Sequence, residues 1–525
     1  MIGRFRGLAR AAAFRIRQEG LVALRRVPKR LKTEIASMVR GRSRSPRWVP
    51  RVAFSTLYVD RWSEENVRRL NREAKKARAD WLLLLPRDAK TVSHIRGAFS
   101  EIVTARPDAD IIYADEDFRE MQGLYVPPRL KPDFNPTLLL AQNYIGFPVL
   151  VRKSLFLTLG GLREELRSGA AHHMWLRAWK AGAKFVRLPG VLVHNRTTEL
   201  SPVRAETLKA LSAFCRESTP ELMVRPGATA DSVEVYRLYD KRYPEITLVI
   251  PTCQTPCGAM AREGESPEIP HIVYLLESLL QSTWPKDRLR VLIADDRRDG
   301  SCYSSRSWPF HVERFVTARR PADAFNYARK MNEAWRKAGT DAVILMNDDV
   351  RVRSPGWIEA LMTFAMDPDV GGVGARLLFP NGRLQHAGIV AGPFETAVHA
   401  WFDRPSELPT YQDWALVHRD WSMVTGAVFA TRRAILDQVG GFDERFALEF
   451  NDLDLCLRIG LLGYRIVCTP FAELIHFEKS SRGADETPPH ERLRFIRRWK
   501  QVIANDPAYN PGLSRDSYQV RPIAA

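Results

Sequence analysis

Asp348 and Asp349, with Asn347 before them, end a five-residue apolar run inside the segment AVILMNDDVRVR at 342–353. Adjacent carboxylates repel one another unless a cation or hydrogen-bond donors compensate them. Hard oxygen ligands of this kind suit Mg²⁺ or Mn²⁺ carrying a phosphate. A solvated Asn/Asp turn uses the same residue types, so position has to decide between the two. Residues 342–346 read as a central parallel strand covered on both faces. The carboxyl end of such a strand is where open α/β sheets bind ligands.

The elements around this strand repeat its logic. A buried strand over 246–251 and another over 289–294, ending at Asp295-Asp296, deliver their tips to one edge, as in a mononucleotide-binding half. Between them lie a long loop and a helix with Ile272, Leu275, Leu276, Leu279 and Leu280 on one stripe. A second helix carries Phe325, Ala328, Met331 and Trp335 on one face, and Ser354-Pro355 reads as N-cap and N1 of a third. The first half alternates in the same way: a helix over 67–77, strands over 81–85, 111–113 and 148–151, and Asp115-Glu116-Asp117 after the second strand. His172 and His173 are adjacent on a helix and point about 100° apart, which suits packing better than shared ligation of one ion. Residues 201–243 read as a helical connector.

Composition narrows the class. At 525 residues the chain holds two or three domains, and its 45% hydrophobic content is that of a globular protein. Of the net charge of +18, +13 lies in residues 1–51, where fifteen Lys and Arg face only Glu19 and Glu34. Ile2, Phe5, Leu8, Ala12 and Ile16 recur there at helical spacing with arginines on the flanks, the pattern of a helix on an anionic membrane surface or of a basic solvated tail. No nucleic-acid module follows, and the aromatic interleaving of single-strand binders is missing, so a nucleic-acid partner is not expected. No window approaches the roughly 18 apolar residues of a membrane span. The six cysteines lack zinc or disulfide spacing. These features predict a cytoplasmic protein, peripheral at the inner face of the cytoplasmic membrane.

VIPT at 249–252, IADD at 293–296, FNYARKMNEA at 325–334 and MNDDVRV at 346–352 together resemble a family 2 glycosyltransferase of the GT-A fold. GARLLFPNGRLQHAGIV (374–390), TGAVFATRR (425–433), GGFDERFALEFNDLDLCLR (440–458), GYRIVCTP (463–470) and HFEKSSRG (476–483) follow in the family's order and are similar to its rhamnosyltransferase-like branch. The resemblance implies an inverting, metal-dependent transfer of a sugar from a nucleotide-diphosphate donor to a surface polysaccharide or lipid-linked glycan. It puts Pro251, Thr252, Asp295, Asp348 and Arg482 at the donor, Asp349 and His476 on a divalent cation (Mn or Mg), and Asp452 as the general base. Asp454 reads as structural, and residues 479–483 as a lid over the diphosphate or an ordinary loop. Asn347 stands where many relatives have Asp, Asn451 replaces a common Glu or Gln, and the insertion 253–270 enlarges the loop beside the nucleotide site.

The first half also resembles this family, but incompletely: its first nucleotide-binding strands are missing, LLLLPRDAK (82–90) keeps only Asp88, and Ala170 and Ala171 fall at the place of the base. Alanine cannot accept a proton. The expected architecture is therefore α/β: a basic helical arm (1–50), an incomplete GT-A-like domain (51–200), a helical connector (201–243), a GT-A nucleotide-binding α/β sandwich (244–484), and a C-terminal helix and tail (485–525). The rival from another class is a catalytically inactive glycan-binding or scaffold protein of a polysaccharide assembly system.

Overall fold

Two large sheets organise the chain in the computed structural model, which describes residues 52–118, 127–195, 204–240, 242–317, 324–478 and 488–523. The basic arm, Arg482 and the segment 479–483 lie outside the described residues. Among the described residues no helix is long and apolar enough to cross a membrane.

The first sheet contains β1 (Phe54–Val59), β2 (Trp81–Pro86), β3 (Lys90–Thr91), β4 (Ile111–Phe118), β5 (Val149–Arg152) and β6 (Phe185–Asn195), in the order β1-β2-β5-β4-β6-β3. Helix α1 (Glu64–Lys76) starts at Ser63, whose hydroxyl accepts from Asn66 N at 3.2 Å, and it buries Val67, Leu70 and Ala74 on the sheet. Strand β4 outruns the expected 111–113. It pairs with β6 as far as Phe118, so Asp115, Glu116 and Asp117 lie within the strand. Helix α2 (Ala170–Lys180) carries His172 and His173, both wholly buried.

The connector is only half helical. Helix α3 (Arg204–Ser218) is followed by a hairpin of β7 (Leu222–Pro226) and β8 (Val233–Arg237), where β-branched Val224, Val233 and Val235 favour strand and Pro226-Gly227 opens the turn.

The second sheet has eleven strands. These are β9 (Ile246–Thr252), β10 (Leu289–Asp295), β11 (His311–Val316), β12 (Ala342–Met346), β13 (Val350–Val352), β14 (Val370–Leu378) and β15 (Arg383–His386), then, beyond a small hairpin of β16 (Ile389–Ala391) and β17 (Ala397–His399), β18 (Arg404–Pro405), β19 (Arg419–Trp421), β20 (Val428–Arg432) and β21 (Arg465–His476). Its main path is β11-β10-β9-β12-β20-β14-β15-β18, with β21 joining β13, β14 and β19. Strand β12 is buried throughout, parallel to β9 and antiparallel to β20. Since β9, β10 and β12 share one direction, their tips meet at one edge.

Helix α4 (His271–Ser278) covers this sheet along with α5 (Tyr327–Arg336), whose cap is Asn326, accepting from Arg329 N at 2.9 Å. Helix α6 (Trp357–Ala365) departs from expectation: Gly356 is its N-cap, and the Ser354 hydroxyl instead donates to Phe471 O of β21 at 3.1 Å. Helix α7 (Asn451–Leu461) precedes β21, and α8 (Pro489–Arg498) follows it.

One buried apolar cluster runs through both halves. Asn510 from the tail donates to the buried Asp115 carboxylate of β4 at 3.1 Å, and Asp420 of β19 accepts from Thr137 and from Arg465. A buried carboxylate answered in this way fixes how the halves dock.

Candidate active site

At the tip of β9, Thr252 Oγ1 donates to Asp348 Oδ2 at 2.6 Å, tying the first strand end to the acidic turn after β12. Burial, and then the charge of Asp349, push the Asp348 carboxyl up from its usual range. Asp349 is buried, with Oδ1 3.1 Å from His476 Nε2. His476 closes β21, and its Nδ1 lies 2.7 Å from Gln385 Oε1. An amide oxygen can only accept, so Nδ1 carries the hydrogen there and Nε2 is turned towards Asp349. Burial works to lower the His476 pKa, but the Asp349 carboxylate outweighs it and the net shift is upwards.

These residues fit a divalent cation. Two adjacent, mostly buried carboxylates need positive charge, and an oriented imidazole nitrogen faces one of them. Among the described residues no three His, Cys, Asp or Glu side chains converge into a complete shell. An ion here would therefore need further oxygens, such as those of a bound diphosphate.

The nucleotide side differs from expectation in one residue. Asp295 is wholly buried and turned into the protein, where Oδ2 accepts from Tyr303 Oη at 2.5 Å and from Gln254 Nε2 at 2.8 Å, and Oδ1 from Arg297 N at 2.9 Å. Its neighbour Asp296 lines the cavity instead. Lys330 of α5 holds that wall: Nζ lies 2.9 Å from Asp296 Oδ1 and donates to Thr252 O at 2.7 Å. One turn back on the same helix, Tyr327 Oη donates to Asn347 Oδ1 at 3.1 Å.

Asp452 is the second residue of α7, where the unpaired N–H groups of a helix start favour an ionised carboxylate. Oδ2 accepts from Gly426 N at 2.7 Å and Oδ1 from Leu453 N at 2.9 Å, which fixes the plane of the group. Burial raises its pKa all the same, while these N–H donors and nearby His399 work to lower it. Asp454, two residues further along the helix, has a different surrounding. It is wholly buried, 2.7 Å from Arg458 Nε, 3.0 Å from Trp499 Nε1 and 3.1 Å from Arg498 Nη1, so it clamps the C-terminal helices to α7.

A cavity of about 880 Å³ brings these groups together. Pro251, Thr252, Asp296, Asp348, Asp349, Asp452 and His476 all line it. Of the residues singled out from the sequence, Asp295 stays outside the lining and Arg482 lies outside the described residues. Gln385, His399, Lys330 and Asp296 were not singled out. Lys330 gave no local signal, since helical spacing turns it about 100° away from Met331 on the apolar stripe, and Gln385 and His399 reach the site only through contacts distant in sequence. The insertion 253–270 folds back, and its Glu265 pairs with Arg351 of β13 at 3.2 Å.

The first sheet repeats this plan without its chemistry. Strand β2 lies between parallel β1 and antiparallel β5 as β12 lies between β9 and β20, while β4 and β6 correspond to β14 and β21. Partners of β10 and β11 are absent among the described residues of that sheet, but β1 stands where β9 stands. Strand β3 sets the register: Lys90 opposes His194 as Val350 opposes His476. Ala89 therefore falls at the place of Asp349, and His194 pairs with Asp117 at 2.7 Å.

Residues 274–500 match the family model "Glycosyltransferase like family 2". The chain is 28% identical over 464 residues to the O-antigen biosynthesis protein RfbC of Myxococcus xanthus, covering 86% of this chain and 35% of that one. It is 32% identical over 459 residues to the uncharacterized protein y4gI of Sinorhizobium fredii, covering 83% of this chain and 49% of that one. To the N-acetylglucosaminyl-diphospho-decaprenol L-rhamnosyltransferase of Mycobacterium tuberculosis it is 28% identical over 238 residues, covering 41% of this chain and 75% of the other. The chain thus spans half or less of the length of the first two relatives.

Proposed function

Because the chain belongs to glycosyltransferase family 2 through residues 274–500, we propose that it transfers a sugar from a nucleotide-diphosphate donor to a surface polysaccharide or lipid-linked glycan, with inversion at the anomeric carbon. The observation that carries this reading is the convergence of Asp349, His476 and Asp452 on one cavity.

Thr252 and Asp296 form the nucleotide wall, and Lys330 holds the two together from behind. Asp349 and His476 would hold a divalent cation, Mn²⁺ or Mg²⁺, which would offset the charge growing on the leaving diphosphate. Asp452 accepts the proton of the acceptor hydroxyl. The freed oxygen attacks the anomeric carbon from the face opposite the diphosphate, the new glycosidic bond forms, and the bond to the diphosphate breaks with its electron pair on the diphosphate oxygen. Gly426 N and Leu453 N keep the Asp452 carboxylate aimed during this step.

The test is a donor screen. Release of nucleoside diphosphate from UDP, dTDP and GDP sugars is followed with Mn²⁺ or with EDTA, alone and with a membrane glycolipid extract, beside Asp452→Asn. Release that needs the metal and is lost in the variant supports the proposal. Silence with every donor and extract, despite nucleotide binding, supports a glycan-binding scaffold instead.

The arm at 1–50 is proposed to hold the protein at an anionic membrane surface, each basic residue near the surface adding about 1 kcal/mol. Co-sedimentation with anionic liposomes should fall steeply with salt, and salt-insensitive binding would contradict it.

A further inference from the structure

A second cavity, of about 120 Å³, opens between the two halves, beside α2 of the first sheet and the loop before β19 of the second. On the scale of about 10–15 Å³ per enclosed water this is room for roughly ten waters, the size of a single sugar ring. Ala171, at the place of the missing base, lines it. So do Asn195 at the end of β6 and residues from the loop before β5. In the second unit the end of β21, the start of α7 and the loop before β20 line the corresponding part of the 880 Å³ cavity. This small cavity therefore keeps the wall nearest the base position, and of the strand-tip wall that meets the nucleotide it keeps only Trp62, just beyond β1.

Part of its polar lining is unanswered. Trp62 Nε1 and Trp414 Nε1 are buried donors without a hydrogen-bond partner, and Asn143 Oδ1 and Asn195 Oδ1 are buried acceptors without one. Asn195 and Trp414 are 4% and 3% exposed. Buried groups of this kind are nearly always satisfied, by protein, water or ligand. Two donors and two acceptors around one space match a molecule whose groups each donate and accept, which is what a hydroxyl does. Tyr144 and Phe147 add apolar ring surface for the C–H faces of such a molecule.

Charge argues against a phosphate. Lys131 is spent on Glu116, 3.2 Å away and equally buried, and Asp231 and Asp413 face the cavity alongside Arg129. No cationic excess is left for a diphosphate.

We propose that this cavity is a sugar-binding subsite, taking one uncharged pyranose unit of a glycan between Trp62, Asn143, Asn195 and Trp414. It rests on the reading of the chain as a sugar transferase, and it gives the first unit a task that needs no turnover: holding the acceptor glycan away from the reacting end.

The experiment is saturation-transfer NMR on the full chain with methyl α-L-rhamnoside, methyl α-D-mannoside, methyl β-D-glucoside and N-acetylglucosamine at millimolar concentration. It is run on the wild type, on Trp414→Phe, which removes the N–H and keeps an aromatic ring, and on Asn143→Leu, a half-buried position. At least one glycoside should give a saturable signal that weakens tenfold or more in both variants and survives excess UDP, dTDP and GDP. Nucleoside diphosphate binding, measured separately by calorimetry, should be equal in all three proteins. A cavity filled by water alone would give no signal with any glycoside, and that result overturns the proposal. So does a signal unchanged in both variants, or one displaced by a nucleoside diphosphate, which would place it in the larger cavity. Loss of nucleotide binding in the wild type would instead sink the transferase reading and leave the glycoside result standing on its own.

Discussion

His476 Nε2 lies 3.1 Å from Asp349 Oδ1, and Gln385, 2.7 Å away on the other side of the ring, is what turns it there. Partners that orient a ligating imidazole typically contribute 10- to 100-fold in metal affinity. Gln385→Leu should therefore weaken Mn²⁺ binding by about that factor in the presence of a nucleoside diphosphate, as followed by electron paramagnetic resonance. Asp349→Asn should weaken it further. Unchanged affinity in Gln385→Leu would mean that His476 does not hold the ion.

Asp452 and Asp454 are two residues apart on α7 and should fail in opposite ways. Asp452→Asn keeps a group of the same shape beside Gly426 N, so folding and nucleotide affinity should persist while kcat falls by roughly 10² to 10⁴. Asp454→Ala strands Arg458, Arg498 and Trp499 around an emptied buried site, a loss on the order of 3–5 kcal/mol. Urea midpoints and single-turnover rates on the two variants separate these effects. A wild-type midpoint in Asp454→Ala would remove its structural assignment.

What the sequence disclosed and what it withheld divide along a physical line. Strand β12 was legible because five apolar residues in a row, stopped by an acidic turn, suit a strand covered on both faces and little else in a globular chain, and its acidic tip followed from the strand. The choice between Asp295 and Asp296 was not. Successive strand residues point to opposite faces, and which of two faces the cavity depends on where the ladder ends, here at Asp295, opposite Thr252. Gln385 and His399 meet His476 and Asp452 only after β15, β17 and β21 are in place, contacts that no local pattern announces. Ser354 looked like a helix cap because its type and spacing allow it, yet the packing of β21 claimed its hydroxyl. The hairpin after α3 was hidden for a different reason, since its two strands, LMVRP and VEVYR, are only five residues long and give little periodic signal.

In the first unit, Asp88 occupies the register of Asp348, but Ala89 stands at the place of Asp349 and the exposed Arg87 beside it pairs with Asp60. A lone exposed carboxylate without its neighbour has little hold on a cation. Asp88→Ala should leave the rate of sugar transfer within about twofold of wild type, whereas Asp348→Ala should lower it by an order of magnitude or more, consistent with the loss of one positioning contact. Abolished turnover in Asp88→Ala would assign the first unit a catalytic part.

Stability should depend on pH through buried histidines far from the site. His172 has Nε2 2.6 Å from Leu139 O, and burial pushes its pKa down to about 4. His418 is packed against the rings of Phe364 and Phe471, and burial takes it down to about 3. Both lie near 6.5 in an unfolded chain. Above pH 6.5 neither state binds the proton and the histidines contribute no pH dependence. Below it the unfolded chain takes up protons that the folded chain refuses, so stability falls, by roughly 1.4 kcal/mol per pH unit for each residue, until the folded groups protonate near 4 and 3. Urea midpoints between pH 6.5 and 5 should decline by less than the histidines alone would give, because the raised Asp348 carboxyl takes up a proton in the folded chain and opposes them. His418→Phe keeps a ring in the apolar site and removes one titrating group, so its decline should be shallower by one residue's share. An equal slope in the variant and the wild type would show that His418 gains a proton as readily in the folded chain as in the unfolded one.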